Sequence, residues 1–179
     1  MLWRQANCPI KWKLQVYQAV IVTKLLYGLE TVHLTEANKN KINAFQIRGL
    51  RQILKKKHTF YNRNHTNAHI LQEATKLAYP KEEDLRKVKK FGDVYEDRRV
   101  KLLGHIIRTE NHDPLRQVSL KPGTAERPDI GKKRIGGPKQ NWTRKTKEHV
   151  WNSKLKRNNY EENALQDSEL FNLAKDRAF

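Results

Sequence analysis

Five apolar residues, Ile10, Leu14, Tyr17, Ile21 and Leu25, recur at three- and four-residue steps, and Gly28 ends the pattern. This spacing runs an apolar stripe along a helix and leaves no alternating pattern for a strand. Pro9 is a favoured first-turn residue. Gly28 accepts the left-handed backbone that closes a last helical turn. Thr35 and Glu36 then supply an N-cap and a first-turn acid for a second helix. Ile42, Phe45, Gly49 and Ile53 are expected to line its inner face, widened by Leu50 and Leu54. Residues 1–60 therefore read as a helical pair.

The pair ends in the basic, turn-rich stretch "KKKHTFYNRN". A short helix is expected from Asn67 to about Leu77, with Ile70, Leu71, Ala74 and Leu77 inward. Pro80 separates it from a longer mixed-charge helix, roughly Glu82 to Arg108, with Val100, Leu103, Ile106 and Ile107 as its core face. Asp113 and Pro114 break that pattern. Residues 61–120 thus form a helical connector. Residues 121–140 are rich in Gly, Pro and Lys and read as an extended basic arm. Residues 141–179 return to helical patterning, first through Trp142, Lys145, His149 and Val150, then in a terminal helix from Glu161. With no internal repeat and no strand pattern, the expected fold is all-α, a small bundle of about five to six helices with one arm.

Charge narrows the function. The chain of 179 residues carries 37 basic and 19 acidic side chains, a formal +18. Residues 1–60 hold 11 basic and 2 acidic residues, and residues 121–160 hold 12 and 3. Residues 61–120 are close to balance, and residues 161–179 are net acidic. Two positive zones flanking a balanced middle fit a surface that follows a phosphate backbone. Nucleic acid is the first partner this implies, and an anionic membrane surface is the second. Charge for solubility alone gives no reason for the asymmetry. Lys55, Lys56 and Lys57 also suit a helix C-terminus, and Lys132, Lys133 and Arg134 also fit a nuclear-import signal. Cys8 is the only cysteine. It forms no intrachain disulfide and no cysteine zinc cluster, as expected of a reducing compartment. No segment reaches the roughly 20 apolar residues that span a bilayer. The expectation is a soluble, intracellular protein, nuclear or cytoplasmic.

Catalytic motifs are absent from the pattern. Glu82, Glu83 and Asp84 fit a helix start, and no acid pair sits on a strand turn where two metals are held. His65 and His69 have i,i+4 spacing, and His58 lies near them, but no intervening acid completes a zinc-protease pattern. Gly136–Gly137 is followed by Pro138, which excludes a phosphate-binding loop. No cofactor and no metal are expected on this chain.

Four ordered blocks carry a resemblance. "LLYGLET" supplies Leu26, Tyr27, Gly28, Glu30 and Thr31, and "FQIRGLRQIL" supplies Phe45, Gln46, Arg48, Leu50, Arg51, Ile53 and Leu54. "LLGHIIR" supplies Leu103, Gly104, His105 and Arg108, and "GKKRIGGPKQNW" supplies Gly131, Lys132, Gly136, Pro138 and Trp142. Together they resemble the segment after the polymerase core in LINE-type (non-LTR) retrotransposon reverse transcriptases, over roughly residues 11 to 155. Val32 stands where the family has Trp, and Gly137 where it has Arg.

The resemblance implies a thumb-and-connector region that grips a template–primer. The palm, with its Mg-binding aspartates, would lie upstream, so the chain is expected to be no polymerase by itself. Its expected role is non-sequence-specific binding of RNA or DNA. Arg48, Arg51, Lys55, Lys56 and Lys57 would contact phosphates on one side, and Lys132, Lys133, Arg134 and Lys139 from the arm. Tyr27, Gly28, Glu30, Phe45, Gly104, His105 and Trp142 would be structural. Glu30 is expected to pair with an arginine of the second helix or with backbone N–H groups, and Tyr27 to pack its ring inward. Two alternatives stand beside this reading: a helical protein-interaction module and a retrotransposon relic without function.

Overall fold

The computed structural model describes residues 7–80, 86–124, 128 and 142–150. These residues are all-α, with no strand among them. A continuous helical run comprises α1 (Ile10–Val16), a π-helical stretch (Tyr17–Val22) and α2 (Thr23–Leu25). It ends before Gly28, whose φ of 71° is the left-handed stop read from the sequence. A 3-10 turn (Leu29–Thr31) leads to α3 (Glu36–Ile53), followed by α4 (Asn67–Ala78) and α5 (Phe91–Arg108). The short α6 (Pro114–Ser119) and α7 (Trp142–Val150) complete the described helices. The expected arm cations and the terminal helix from Glu161 lie outside the described residues.

Contacts divide the chain into two units, residues 1–29 with 34–95 and residues 30–33 with 96–179. The first unit is built around the helical pair. Leu14, Tyr17, Val22 and Leu26 pack with Ile47, Leu50, Ile53 and Leu54 of the α3 segment, and with Ile70, Ala74 and Ala78 of α4. Thr35 caps α3 by accepting from the Asn38 N–H at 3.3 Å, as its position in the sequence implies.

The inner face of α3 is turned from the expected one. Phe45 is 48% exposed, and Gln46 is fully buried in its place. The reason is the start of α5. The longer expected helix begins only at Phe91, and residues 86–90 are not helical. Gln46 Nε2 donates to the Lys89 carbonyl at 2.7 Å, and its Oε1 accepts from the Phe91 N–H at 2.9 Å. Asn43 Oδ1 accepts from the Gly92 N–H at 2.8 Å. First-turn amides of a helix have no partner inside it. Here two amide side chains of α3 satisfy them, a capping arrangement made across the fold.

Tyr17 stacks on Phe91 with ring centroids 6.1 Å apart, and its hydroxyl donates to the Gln46 carbonyl at 3.5 Å. Burial pushes that hydroxyl up from 10.0 to about 12. The unfolded chain therefore releases this proton first. The stability that Tyr17 contributes is complete below pH 10 and is lost as pH climbs through the folded value.

The second unit has a mixed core. Val100, Leu103, Ile106, Ile107, Leu120 and Val150 are buried. So are two arginines. Arg99 pairs with Glu96 at 2.9 Å and donates to Thr146 Oγ1 at 2.8 Å and to the Trp142 carbonyl at 3.2 Å. Arg116 donates to the Ile106 and Ile107 carbonyls and to Asn111 Oδ1. It thereby serves the open carbonyls at the C-terminal end of α5. Asp113 and Pro114 break α5's pattern and also start α6: Asp113 accepts from the Leu115 N–H at 2.8 Å, and Pro114 holds the first helical position.

Gly49 is set by the Tyr17 ring. A Cβ there would lie 2.5 Å from the Tyr17 hydroxyl oxygen and 2.8 Å from its ring edge. Gly49→Ala is expected to lower stability by about 1–3 kcal/mol, because the buried ring must shift. Urea unfolding read by far-UV circular dichroism checks this.

Candidate nucleic-acid interface

The last two turns of α3 and the loop after it carry five of the nine cations singled out in the sequence. Arg48 and Arg51 lie on one side of the helix, three residues apart, and the chain then runs into Lys55, Lys56 and Lys57. With Gln52 and His58, these five residues line an open concavity of about 550 Å³. Their roles within it differ.

Arg51 is buried. Its guanidinium donates to the Lys57 carbonyl at 2.9 Å, the His65 carbonyl at 2.6 Å and Asn67 Oδ1 at 3.1 Å. It thus ties the end of α3 to both ends of the loop and to the first residue of α4. A fork with several fixed N–H donors suits this task, and a single ammonium does not. The His65 ring lies 3.1 Å from the same Lys57 carbonyl. Arg51 is therefore a strut of the loop, in place of the phosphate contact expected of it.

Lys56 is also committed, to Glu73 Oε1 of α4 at 2.8 Å in a half-buried pair. His69 Nε2 lies 3.4 Å from the other oxygen of Glu73. The His65 and His69 rings stack with centroids 6.3 Å apart. Among the described residues, no three metal-ligating side chains come together.

Arg48, Lys55 and Lys57 are exposed on the basin and form no ion pair with the described residues. Lys55 holds φ at 55°. The Lys56 N–H donates to the Arg51 carbonyl at 2.9 Å. That is the bond pattern of a helix stop with a left-handed residue, where glycine is usual. A side chain in this conformation costs roughly 1–2 kcal/mol. The fold tolerates the strain, and the outcome is a cation at the rim of the basin.

The residues expected to be structural fall out unevenly. Tyr27 does not pack inward: it is 84% exposed. The Glu30 carboxylate meets no arginine among the described residues. Its buried Oε2 has no hydrogen-bond partner among the described residues. The anchor is instead the Glu30 backbone carbonyl, which accepts from the Trp142 indole N–H at 2.6 Å. Two of the four sequence blocks meet at that bond within the second unit. Gly104 is buried, and a Cβ there would meet only the flexible Arg108 guanidinium at 3.1 Å. His105 is exposed and lends its carbonyl to Thr109 Oγ1 at 2.9 Å. Lys132, Lys133, Arg134 and Lys139 lie outside the described residues.

The sequence reading missed Gln52 as lining, and Phe60 and Tyr61 as exposed aromatics beside it. The signal for the aromatics was available, since Phe60 and Tyr61 interrupt a basic run with no apolar period to bury them. No family model, curated protein or solved structure matches the chain.

Two outcomes check these assignments. Lys55→Gly is expected to raise stability by about 1 kcal/mol by relieving the left-handed side chain, measured as the midpoint of chemical unfolding. Trp142→Phe is expected to lower it by about 1–3 kcal/mol through the lost indole bond and the smaller ring. Thermal unfolding read by near-UV circular dichroism is the check.

Proposed function

We propose that this chain binds nucleic acid through its sugar–phosphate backbone, with little dependence on base sequence. The observation that carries this reading is the basin beside α3. It gathers Arg48, Lys55 and Lys57 on one concave surface with no acid among its described lining residues. Exposed cations at close spacing attract a polyanion and release its counterions on binding. Arg51 and Lys56 belong to the scaffold that shapes the basin, since both are held by loop and helix acceptors. The formal charge of +18 supports the same partner at longer range.

The chain is further read as a thumb-and-connector region of a LINE-type reverse transcriptase. What supports this is the order of the four sequence blocks. The Trp142–Glu30 bond adds a physical reason for two of them to occur together. On this reading the partner is a template–primer, RNA or DNA, and a polymerase domain upstream would supply the chemistry. No catalytic step is assigned to the residues of this chain.

The test is a titration of a labelled oligonucleotide at rising salt. Affinity is expected to fall steeply and linearly on logarithmic axes. The double variant Arg48→Glu/Lys57→Glu is expected to flatten that slope and weaken binding at least tenfold, whereas Lys24→Glu, remote in sequence from the basin, changes it little. Binding that ignores salt would contradict the proposal and favour a protein-interaction module.

A further inference from the structure

Beside the basin stands a feature that phosphate binding does not need. Phe60 is 86% exposed and Tyr61 is 73% exposed. Their rings meet edge to face with centroids 5.3 Å apart. Two adjacent large rings in solvent are a cost to a folded chain unless something covers them.

The turn that carries them is well held. The Phe60 N–H donates to His58 Nδ1 at 3.2 Å, and the Tyr61 N–H donates to the His58 carbonyl at 2.9 Å. The His65 N–H donates to the Asn62 carbonyl at 3.0 Å, and the Asn64 N–H to Asn62 Oδ1 at 3.0 Å. Arg51 grips the His65 carbonyl from behind. The rings are thus displayed on an ordered turn, so little conformational freedom remains to be lost when a ligand arrives.

Their position fits one ligand. His58, which holds the turn, is itself part of the basin wall. Phe60 follows it by two residues, a reach of about 7 Å at most. Arg63, exposed and without an ion pair to the described residues, lies on the far side of the pair in sequence. Cations flanking exposed rings match a strand whose phosphates lie in the basin and whose unpaired bases turn onto the aromatics. In a duplex the bases are already stacked on one another, and their faces are closed to such contact.

We infer that the turn carrying Phe60 and Tyr61 is a base-stacking platform that makes the basin selective for single-stranded over double-stranded nucleic acid. This rests on the phosphate-binding reading above and adds the class of strand to it.

The experiment uses the full chain and two labelled probes, a 15-nucleotide oligo-dT and a 15-base-pair duplex, at one salt concentration. The wild type is expected to bind the single strand more tightly. Phe60→Leu/Tyr61→Leu is expected to weaken the single strand about tenfold or more, as the loss of one stacked base implies, with duplex affinity within twofold. Tyr61→Phe, which keeps the ring, is expected to retain wild-type selectivity. Both side chains are exposed, so the double variant is expected to keep the wild-type melting temperature. Equal loss for both probes, or no loss for the single strand, overturns the stacking platform while leaving phosphate binding in place. Failure of the wild type to bind either probe at low salt overturns both.

Discussion

The guanidinium of Arg51 is the constraint on which the basic surface depends. It closes the loop after α3 by meeting three acceptors at Lys57, His65 and Asn67. Without that fork the loop has short polar turns but almost no buried apolar anchor, since Phe60 and Tyr61 both face solvent. A buried charge is tolerable only when its donors are matched. The same bonds therefore hold Arg51 inside and Lys55, Lys57 and His58 at the rim.

A wider division of labour follows. Arg51, Arg99 and Arg116 are all buried, and each satisfies carbonyls at a helix end or loop. These arginines hold local structure together from inside each unit. The cations available to a partner are a different set, exemplified by Arg48, Lys55 and Lys57. Formal charge counts both sets alike. It therefore overstates the electrostatic surface, since three arginines lie inside the fold.

This division also explains what the sequence made legible. The helical class, the Gly28 stop, the Thr35 cap and the start of α4 at Asn67 follow from local patterns, and the structure has each of them. The grouping of basic residues after α3 was legible because they lie within one turn and its exit. The burial of Gln46 was not, because its reason is a pair of backbone groups near residue 90 that no periodicity reports. The same long-range origin hid the role of Arg51. Helical spacing points Phe45 inward and the motif around Gly28 and Glu30 points Tyr27 inward, but the polar stripe of Asn43 and Gln46 takes the place expected of Phe45, and Tyr27 is exposed. The Glu30 motif was legible as an anchor but not in its chemistry, because the bond runs through its backbone to a residue 112 positions away.

The most direct test of this account keeps the charge and removes the fork. Arg51→Lys leaves the formal charge unchanged but cannot reach three acceptors at once. Amide hydrogen exchange over residues 55–66 is expected to quicken strongly in this variant, while the amides of α4 and the middle of α3 stay protected. Exchange in the loop identical to the wild type would show that something other than Arg51 holds it, and the account would fail at its base.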